Sequence, residues 1–252
     1  MSSNINSSHN LLTVYCHCRS CYIGKKNLLV DVEKRAIAEF ENIVEHNLVL
    51  KKGAKLVQEG HPFKYLFVVQ KGALKSYTSL IENDEPEIAN FYFGGDFIGL
   101  DAIHSGSYQN SIEALDTTSV CVFSYERFRK LCSYHPKLYG NFLKLMSKEK
   151  NKLLEFRYWL REKSVESRYA TFVLHMNMLQ YRQSKNELKL PMPRADIANF
   201  LDTSTETISR ITSHLQQENV IESSHNKIVI KNMSKLNFYA ENNTLKGYLS
   251  FN

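Results

Sequence analysis

Residues 193–230 read "PRADIANFLDTSTETISRITSHLQQENVIESSHNKIVI", and this stretch decides the fold of the C-terminal part of the chain. Ile197, Ala198 and Leu201 recur at helical spacing, which predicts a helix from about Arg194 to Leu201. Ile208, Ile211 and Leu215 predict a second, from about Thr205 to Glu218. Only Asp202, Thr203 and Ser204 lie between them. Two helices joined by so short a turn form the motif whose second helix enters the major groove of double-stranded DNA. The following "VIESSHNKIVI" (220–230) has the pattern of a β-hairpin, the wing of a winged helix.

The second helix carries groups that can read bases. Ser204 is the expected N-cap, with Thr205 beside it at the helix start. Glu206, Ser209 and Arg210 follow on the N-terminal half, on the face away from Ile208 and Ile211. An Arg guanidinium can donate two hydrogen bonds to guanine O6 and N7, and a Glu carboxylate can accept one from cytosine N4. By type alone, both residues have other uses. A first-turn carboxylate such as Glu206 favours the helix dipole, and Arg210 could contact a phosphate or solvent.

The upstream texture is different. From Leu48 to about Phe123, short β-prone runs alternate with turns at Lys52-Gly53, Glu59-Gly60, Lys71-Gly72 and Gly94-Gly95. This predicts an all-β sandwich or barrel-like roll. From Tyr125 to about Lys163 glycine is almost absent. Leu138, Phe142, Leu145, Leu153, Phe156 and Leu160 recur at spacings of three and four, with one slot skipped at Glu149. One long helix with a narrow apolar stripe is expected. The stripe has two places to go: its own domain, or a second copy of the chain. "EKSVESRYATFVLHMNMLQYR" (162–182) is another helix, and Lys185, Asn186, Pro191 and Pro193 mark a loop.

With 252 residues, 43% hydrophobic and 23% charged, the chain can build one or two domains with a real core. A net charge of +6 permits a nucleic-acid partner without demanding one. No apolar run approaches the roughly 20 residues that cross a bilayer. The polar start "MSSNINSSHNLLTV" (1–14) lacks a basic segment followed by an apolar one. A cytoplasmic protein with no membrane partner is expected. Its five cysteines, an odd number in a reducing compartment, are not expected to form a disulfide framework. Three of them, Cys16, Cys18 and Cys21, crowd into "VYCHCRSCYIG" (14–24) beside His17. Packing gives no reason for that crowding in an arm whose first 13 residues read as disordered.

The chain resembles the fumarate–nitrate reduction regulator (FNR) branch of the cyclic-AMP receptor protein superfamily, from Cys16 to about Ile230. The resemblance rests on "DIANFLDTSTETISR", "GALKSYT", "GGDFIGLDAIHSG", "EALDTTSVCVFSYE" and "LMSKE". It implies an α+β protein with a flexible N-terminal arm carrying the cysteines (1–30). A β-roll sensory domain like those that bind cyclic nucleotides (31–133) follows. Then come a dimerisation helix (134–164), a winged helix–turn–helix DNA-binding domain (165–235) and a C-terminal tail (236–252). It implies a transcription regulator, not an enzyme, that works as a homodimer with RNA polymerase as partner. Glu206, Ser209 and Arg210 match the family's base-reading set, which implies inverted half-sites like TTGAT. Family members usually carry Gly at the helix–turn–helix turn. Asp202 stands there, and Asp is among the few non-Gly residues that tolerate a left-handed conformation.

The resemblance also bears on ligands. The cyclic-nucleotide branch holds its ligand with a Gly-Glu and an Arg-Ser pair. No Arg lies between residues 36 and 126 here, and a buried phosphate without a cation is costly. His104 and the lysines of "QKGALKS" are the substitutes on hand. Cyclic AMP is therefore not the expected ligand. In the FNR branch, four cysteines hold an iron–sulfur cluster. Cys121 matches the ligand in the β-roll, and Cys18 and Cys21 match a Cys-x-x-Cys pair. The remaining family ligand would fall at Asn27, whose amide is a poor ligand for iron. Cys16 is the replacement, giving Cys16, Cys18, Cys21 and Cys121 as holders of a 4Fe-4S cluster. Asp31, Asp101 or His17 could fill the place instead. A structural zinc site on the same cysteines, thiols that sense by oxidation, or a regulator answering a small molecule stay open. A thioredoxin-like reading of Cys18-Arg-Ser-Cys21 fails for want of a βαβ setting. Cys132, in "FRKLCSYH", is expected to be a buried apolar residue.

Overall fold

A computed structural model describes residues 28–78, 86–160, 164–180, 186–224 and 226–241 of the chain. The chain divides into two compact units, Met1–Lys150 and Asn151–Asn252.

The first unit opens its described part with a buried turn at Leu28 and Leu29 and helix α1 (Lys34–Ile43). Eight strands follow: β1 (Val44–Leu50), β2 (Lys55–Val57), β3 (Tyr65–Lys71), β4 (Ala73–Thr78), β5 (Glu87–Phe93), β6 (Phe97–Ile98), β7 (Ser111–Ala114) and β8 (Thr118–Ser124). A short helix α2 (Ala102–Ser105) interrupts them. They form two four-stranded sheets, ordered β1-β8-β3-β6 and β2-β7-β4-β5. The predicted glycine turns are where the strands reverse. Gly72, between β3 and β4, has φ +95, and a Cβ there would collide with Thr118. Only glycine fits that turn.

Residues of β8 alternate between two cores, as the period of a strand requires. Val120 and Val122 join Leu48, Leu50, Val69, Leu74, Ile98 and Ile112 in the interior of the roll. Cys121 and Phe123 join Leu66 and Val68 in a second core on the other face of that sheet. Helix α1, helix α3 (Tyr125–Tyr134) and the first half of α4 (Pro136–Leu160) cover this second core with Phe40, Phe128, Leu138, Phe142 and Leu145. Phe40, Phe123 and Phe128 meet edge to face, with ring centroids 5.3–6.2 Å apart.

The single long helix expected from Tyr125 is two helices. His135 adopts φ −127, ψ 85 between them, and Pro136 opens α4. A proline disfavours helical backbone at the residue before it and suits the first position of a new helix. The expected stripe divides too. Leu138, Phe142 and Leu145 are buried in their own unit, whereas Leu153 is 56% exposed. Exposed Tyr139, Leu143 and Leu154 stand on the same helix. The side chains of Phe156 and Leu160 lie outside the described residues.

A buried polar side chain borders the second core. Asn141 of α4 is buried, and its Nδ2 donates to the backbone oxygens of Leu28 at 3.0 Å and Val30 at 2.8 Å. The segment that follows the cysteine arm is thus tied to the long helix. At the elbow before α4, His135 Nε2 lies 2.8 Å from Glu39 Oε2 of α1. Hydrogen bonding to His135, then to Arg35, holds the Glu39 carboxyl below the usual range.

The second unit holds α5 (Val165–Gln180), β9 (Glu187–Lys189), α6 (Arg194–Phe200), α7 (Thr205–Gln217), β10 (Ile221–Ser224), β11 (Lys227–Ile230) and α8 (Met233–Glu241). Its sheet is ordered β10-β11-β9. The loop expected around residues 185–193 therefore contains a strand. β9 is only three residues long, with one buried residue, Leu188, and so carries little periodicity. α8 packs on α5, where Ser167 Oγ donates to Ala240 O at 3.0 Å, and it takes in the start of the stretch expected as a tail. Among the described residues no helix is long and apolar enough to cross a membrane.

Asn141→Ala leaves the buried Leu28 carbonyl and the half-buried Val30 carbonyl without their donor. Stability of the first unit is expected to fall by about 1–3 kcal/mol, read from urea unfolding. An unchanged midpoint would mean that the tie contributes nothing.

Candidate nucleic-acid interface and thiol site

The turn between α6 and α7 is a helix C-cap of the Schellman type. Thr203 N donates to Ala198 O at 3.0 Å and Asp202 N to Asn199 O at 3.1 Å. The motif needs a left-handed residue at Asp202, which has φ 51. Arg168 Nη2 of α5 donates to the Asp202 carbonyl at 3.3 Å. Ser204 then caps α7, accepting from Thr207 N at 3.2 Å. The same device ends α7. Asn219 has φ 52, and Val220 N donates to Leu215 O at 2.9 Å. The start of α7 is thereby fixed by the Ser204 side chain and its end by backbone hydrogen bonds.

Ile208, Ile211, Thr212 and Leu215 form the buried face of α7. Thr212 Oγ1 donates to the buried Tyr169 hydroxyl at 3.0 Å or to Ile208 O at 2.8 Å. Burial raises the pKa of that phenol, so it stays protonated. Thr212 and Phe200 are inward residues that helical spacing of aliphatics does not reveal. The opposite face presents Glu206 and Arg210, both exposed, with Ser209 half-buried between them. Among the described residues neither Glu206 nor Arg210 has an ion pair or side-chain hydrogen bond. The wing region is different. Lys227 pairs with Glu187 at 2.8 Å, Lys231 with Glu222 at 2.6 Å and Lys235 with Glu218 at 2.7 Å. Arg210 is thus a cation left uncompensated on the face that a groove would meet.

In the first unit, Cys121 projects from β8 into the core that contains Leu28 and Leu29. Gln70 Nε2 donates to its sulfur at 2.9 Å. Cys16, Cys18 and Cys21, with His17 and Asn27, lie outside the described residues. Asp31 and Asp101 are exposed, and among the described residues no three Cys, His, Asp or Glu side chains come together. Cys132 is buried on α3, and burial pushes its thiol up to about 11. It behaves as the apolar residue expected of it.

Residues 167–239 match the Crp-like helix-turn-helix domain and residues 47–135 the cyclic nucleotide-binding domain. The chain is 33% identical over 228 residues to electron transport regulator A of Shewanella oneidensis, covering 90% of this chain and 91% of that protein. The chain belongs to the CRP/FNR family. It is 31% identical over 222 residues to the fumarate and nitrate reduction regulatory protein of Escherichia coli K12, covering 87% and 88% of the two chains. The structure of FixK2 from Bradyrhizobium japonicum superposes with a TM-score of 0.69 at 26% identity, covering 77% of this chain and 96% of that one. This family member is a DNA-binding transcription regulator of the FNR type. Its architecture is the expected one: a cyclic-nucleotide-binding-like β-roll, a long helix and a winged helix–turn–helix.

Asp202 is expected to be replaceable by glycine without loss, whereas Asp202→Ala should cost about 1 kcal/mol for holding a Cβ in the left-handed region. Thermal unfolding of the two variants checks this. Equal stability for both would mean that the turn relaxes out of its Schellman geometry.

Proposed function

We propose that this regulator responds to oxygen or redox change through a 4Fe-4S cluster held by Cys16, Cys18, Cys21 and Cys121. It binds inverted TTGAT-like half-sites as a homodimer. The observation that carries the sensor reading is the core shared by Cys121 and Leu28. Cys21 precedes Leu28 by seven residues, a reach of about 23 Å when extended. The chain just after the cysteines therefore packs on the same sheet face as the matching thiol. The donor set suits the group, because thiolates are the soft anionic ligands that iron–sulfur clusters take. When bound, such a cluster supplies oxidation-labile bonds between the arm and the roll.

The chain's own residues then give the response. Cys121 offers its sulfur from β8. Leu28 and Leu29 hold the arm's end in the core, and Asn141 passes their position to α4. The exposed Tyr139, Leu143, Leu153 and Leu154 supply an apolar face for the partner copy of that helix. In a two-fold dimer the two α7 helices meet half-sites about one helical turn apart. Glu206, Ser209 and Arg210 read bases there, with Ser204 and Thr205 at the helix start beside the backbone. RNA polymerase is the downstream partner, and the setting is the cytoplasm.

Two experiments test this reading. Arg210→Ala should lose about 1–3 kcal/mol at one guanine and relax discrimination there, as measured by fluorescence anisotropy on substituted operators. Uniform weakening on every sequence would make Arg210 a phosphate contact instead. For the sensor, iron and acid-labile sulfide are assayed after anaerobic purification of the wild type and the five single Cys→Ser variants. Loss is expected for Cys16, Cys18, Cys21 and Cys121, and retention for Cys132. Zinc without sulfide would mark a structural site. A stable cluster in Cys16→Ser would move the fourth ligand to Asp31, Asp101 or His17.

A further inference from the structure

Strand β3 is irregular where it passes Cys121. Val68 pairs with Cys121 and Val69 with Val120, but the next residue opposite, Ser119, faces Lys71. Gln70 is the extra residue of a β-bulge. Bulges bend a strand, increase its local twist and re-aim a side chain, often beside a functional site. Along β3, Leu66 and Val68 belong to the core that contains Cys121, and Phe67 and Val69 to the roll interior. Alternation therefore puts Gln70 on the Cys121 face, one step diagonal from the sulfur. The bulge closes that step. Gln70 Nε2 comes within 2.9 Å of Cys121 Sγ. Gln70 is half-buried beside the buried Val68 and Val69, and the sulfur is one of its partners.

We propose that Gln70 is a positioning residue for Cys121, donating its amide N–H to the sulfur so that the sulfur is fixed in place and stabilised as an anionic ligand. The inference rests on the proposed cluster for its consequence but not for its geometry. A hydrogen bond to an anionic acceptor is stronger than one to a neutral acceptor. Hydrogen bonds to sulfur are also among the levers by which a protein sets the behaviour of a bound iron–sulfur group. An apolar residue at position 70 would remove this donor from the sulfur. An acidic one would face it with like charge.

The test has two arms, both on the full chain. In the anaerobically purified protein, the absorbance of the bound group is followed on exposure to air for wild type, Gln70→Leu, Gln70→Glu and Gln70→Lys. Loss should be roughly tenfold faster for Leu and Glu, with Lys, which restores an N–H donor, close to wild type. Equal lifetimes in all four overturn the proposal. Unchanged melting of the metal-free variants excludes a merely structural effect. In the metal-free protein, the side-chain amide of Gln70 is observed by NMR in wild type and Cys121→Ala. A shift of that resonance and faster hydrogen exchange in the variant are expected, and an unmoved resonance overturns the contact. If the wild type carries no iron or sulfide, the sensor reading fails. The NMR arm alone then decides whether Gln70 positions the thiol.

Discussion

Two hydrogen bonds from one buried amide fix the relation between the segment after the cysteine arm and the longest helix. Asn141 is surrounded by Leu138, Phe142 and Leu145 on its own helix, all of them buried. A polar group in such a place is stable only when its donors are satisfied, and a misplaced partner is costly. The carbonyls of Leu28 and Val30 are therefore held in one register against α4. A change at the arm must either break those bonds or move with the helix. This gives the proposed switch a discrete mechanical link rather than diffuse flexibility.

The rest of the first unit can be understood as support for that link. The sheet containing β8 is buried on both faces, because α1, α3 and α4 cover the side that the roll does not use. Strand alternation then sorts β8 into interior valines and outward Cys121 and Phe123. A thiol on the interior face would be sealed among aliphatic side chains. On the outer face it shares a core with the segment that leads to the arm. In the second unit, rigidity comes from other devices: a Schellman turn at the C-terminal end of α6 and another at that of α7, and Ser204 as cap of α7. The pairing of Lys227, Lys231 and Lys235 with glutamates leaves Arg210 as a cation available on the reading face.

The helix–turn–helix was legible in sequence because two aliphatic stripes of helical period stand three residues apart. The exposed Glu206 and Arg210 followed from the same periodicity. The roll was legible from its glycine turns, and Cys132 from its setting in a helical run. What escaped was short, or depended on residues distant in sequence. β9 is too brief to show alternation. Helix α1 buries only Ala36 and Phe40 along its length, a faint stripe. The break before α4 was marked by Pro136, and the apolar stripe begins only after it, at Leu138. Asn141 finds its acceptors 113 and 111 residues away, and Gln70 meets Cys121 51 residues away, so no local pattern predicts either contact. Asn219 repeats the left-handed cap seen at Asp202, yet without a following helix the sequence gives it no emphasis.

In the proposed switch, the state of the arm reaches the recognition helices through α4. The most direct measurement is operator affinity by fluorescence anisotropy, on an inverted TTGAT duplex at fixed salt. The anaerobically purified protein is titrated before and after exposure to air. Coupling of this kind is typically worth roughly 5–150-fold. A drop within that range is expected for the wild type, and nearly equal affinities in the two states for Asn141→Leu, whose arm is no longer tied to the helix. A wild type that binds the operator equally well before and after air would contradict it.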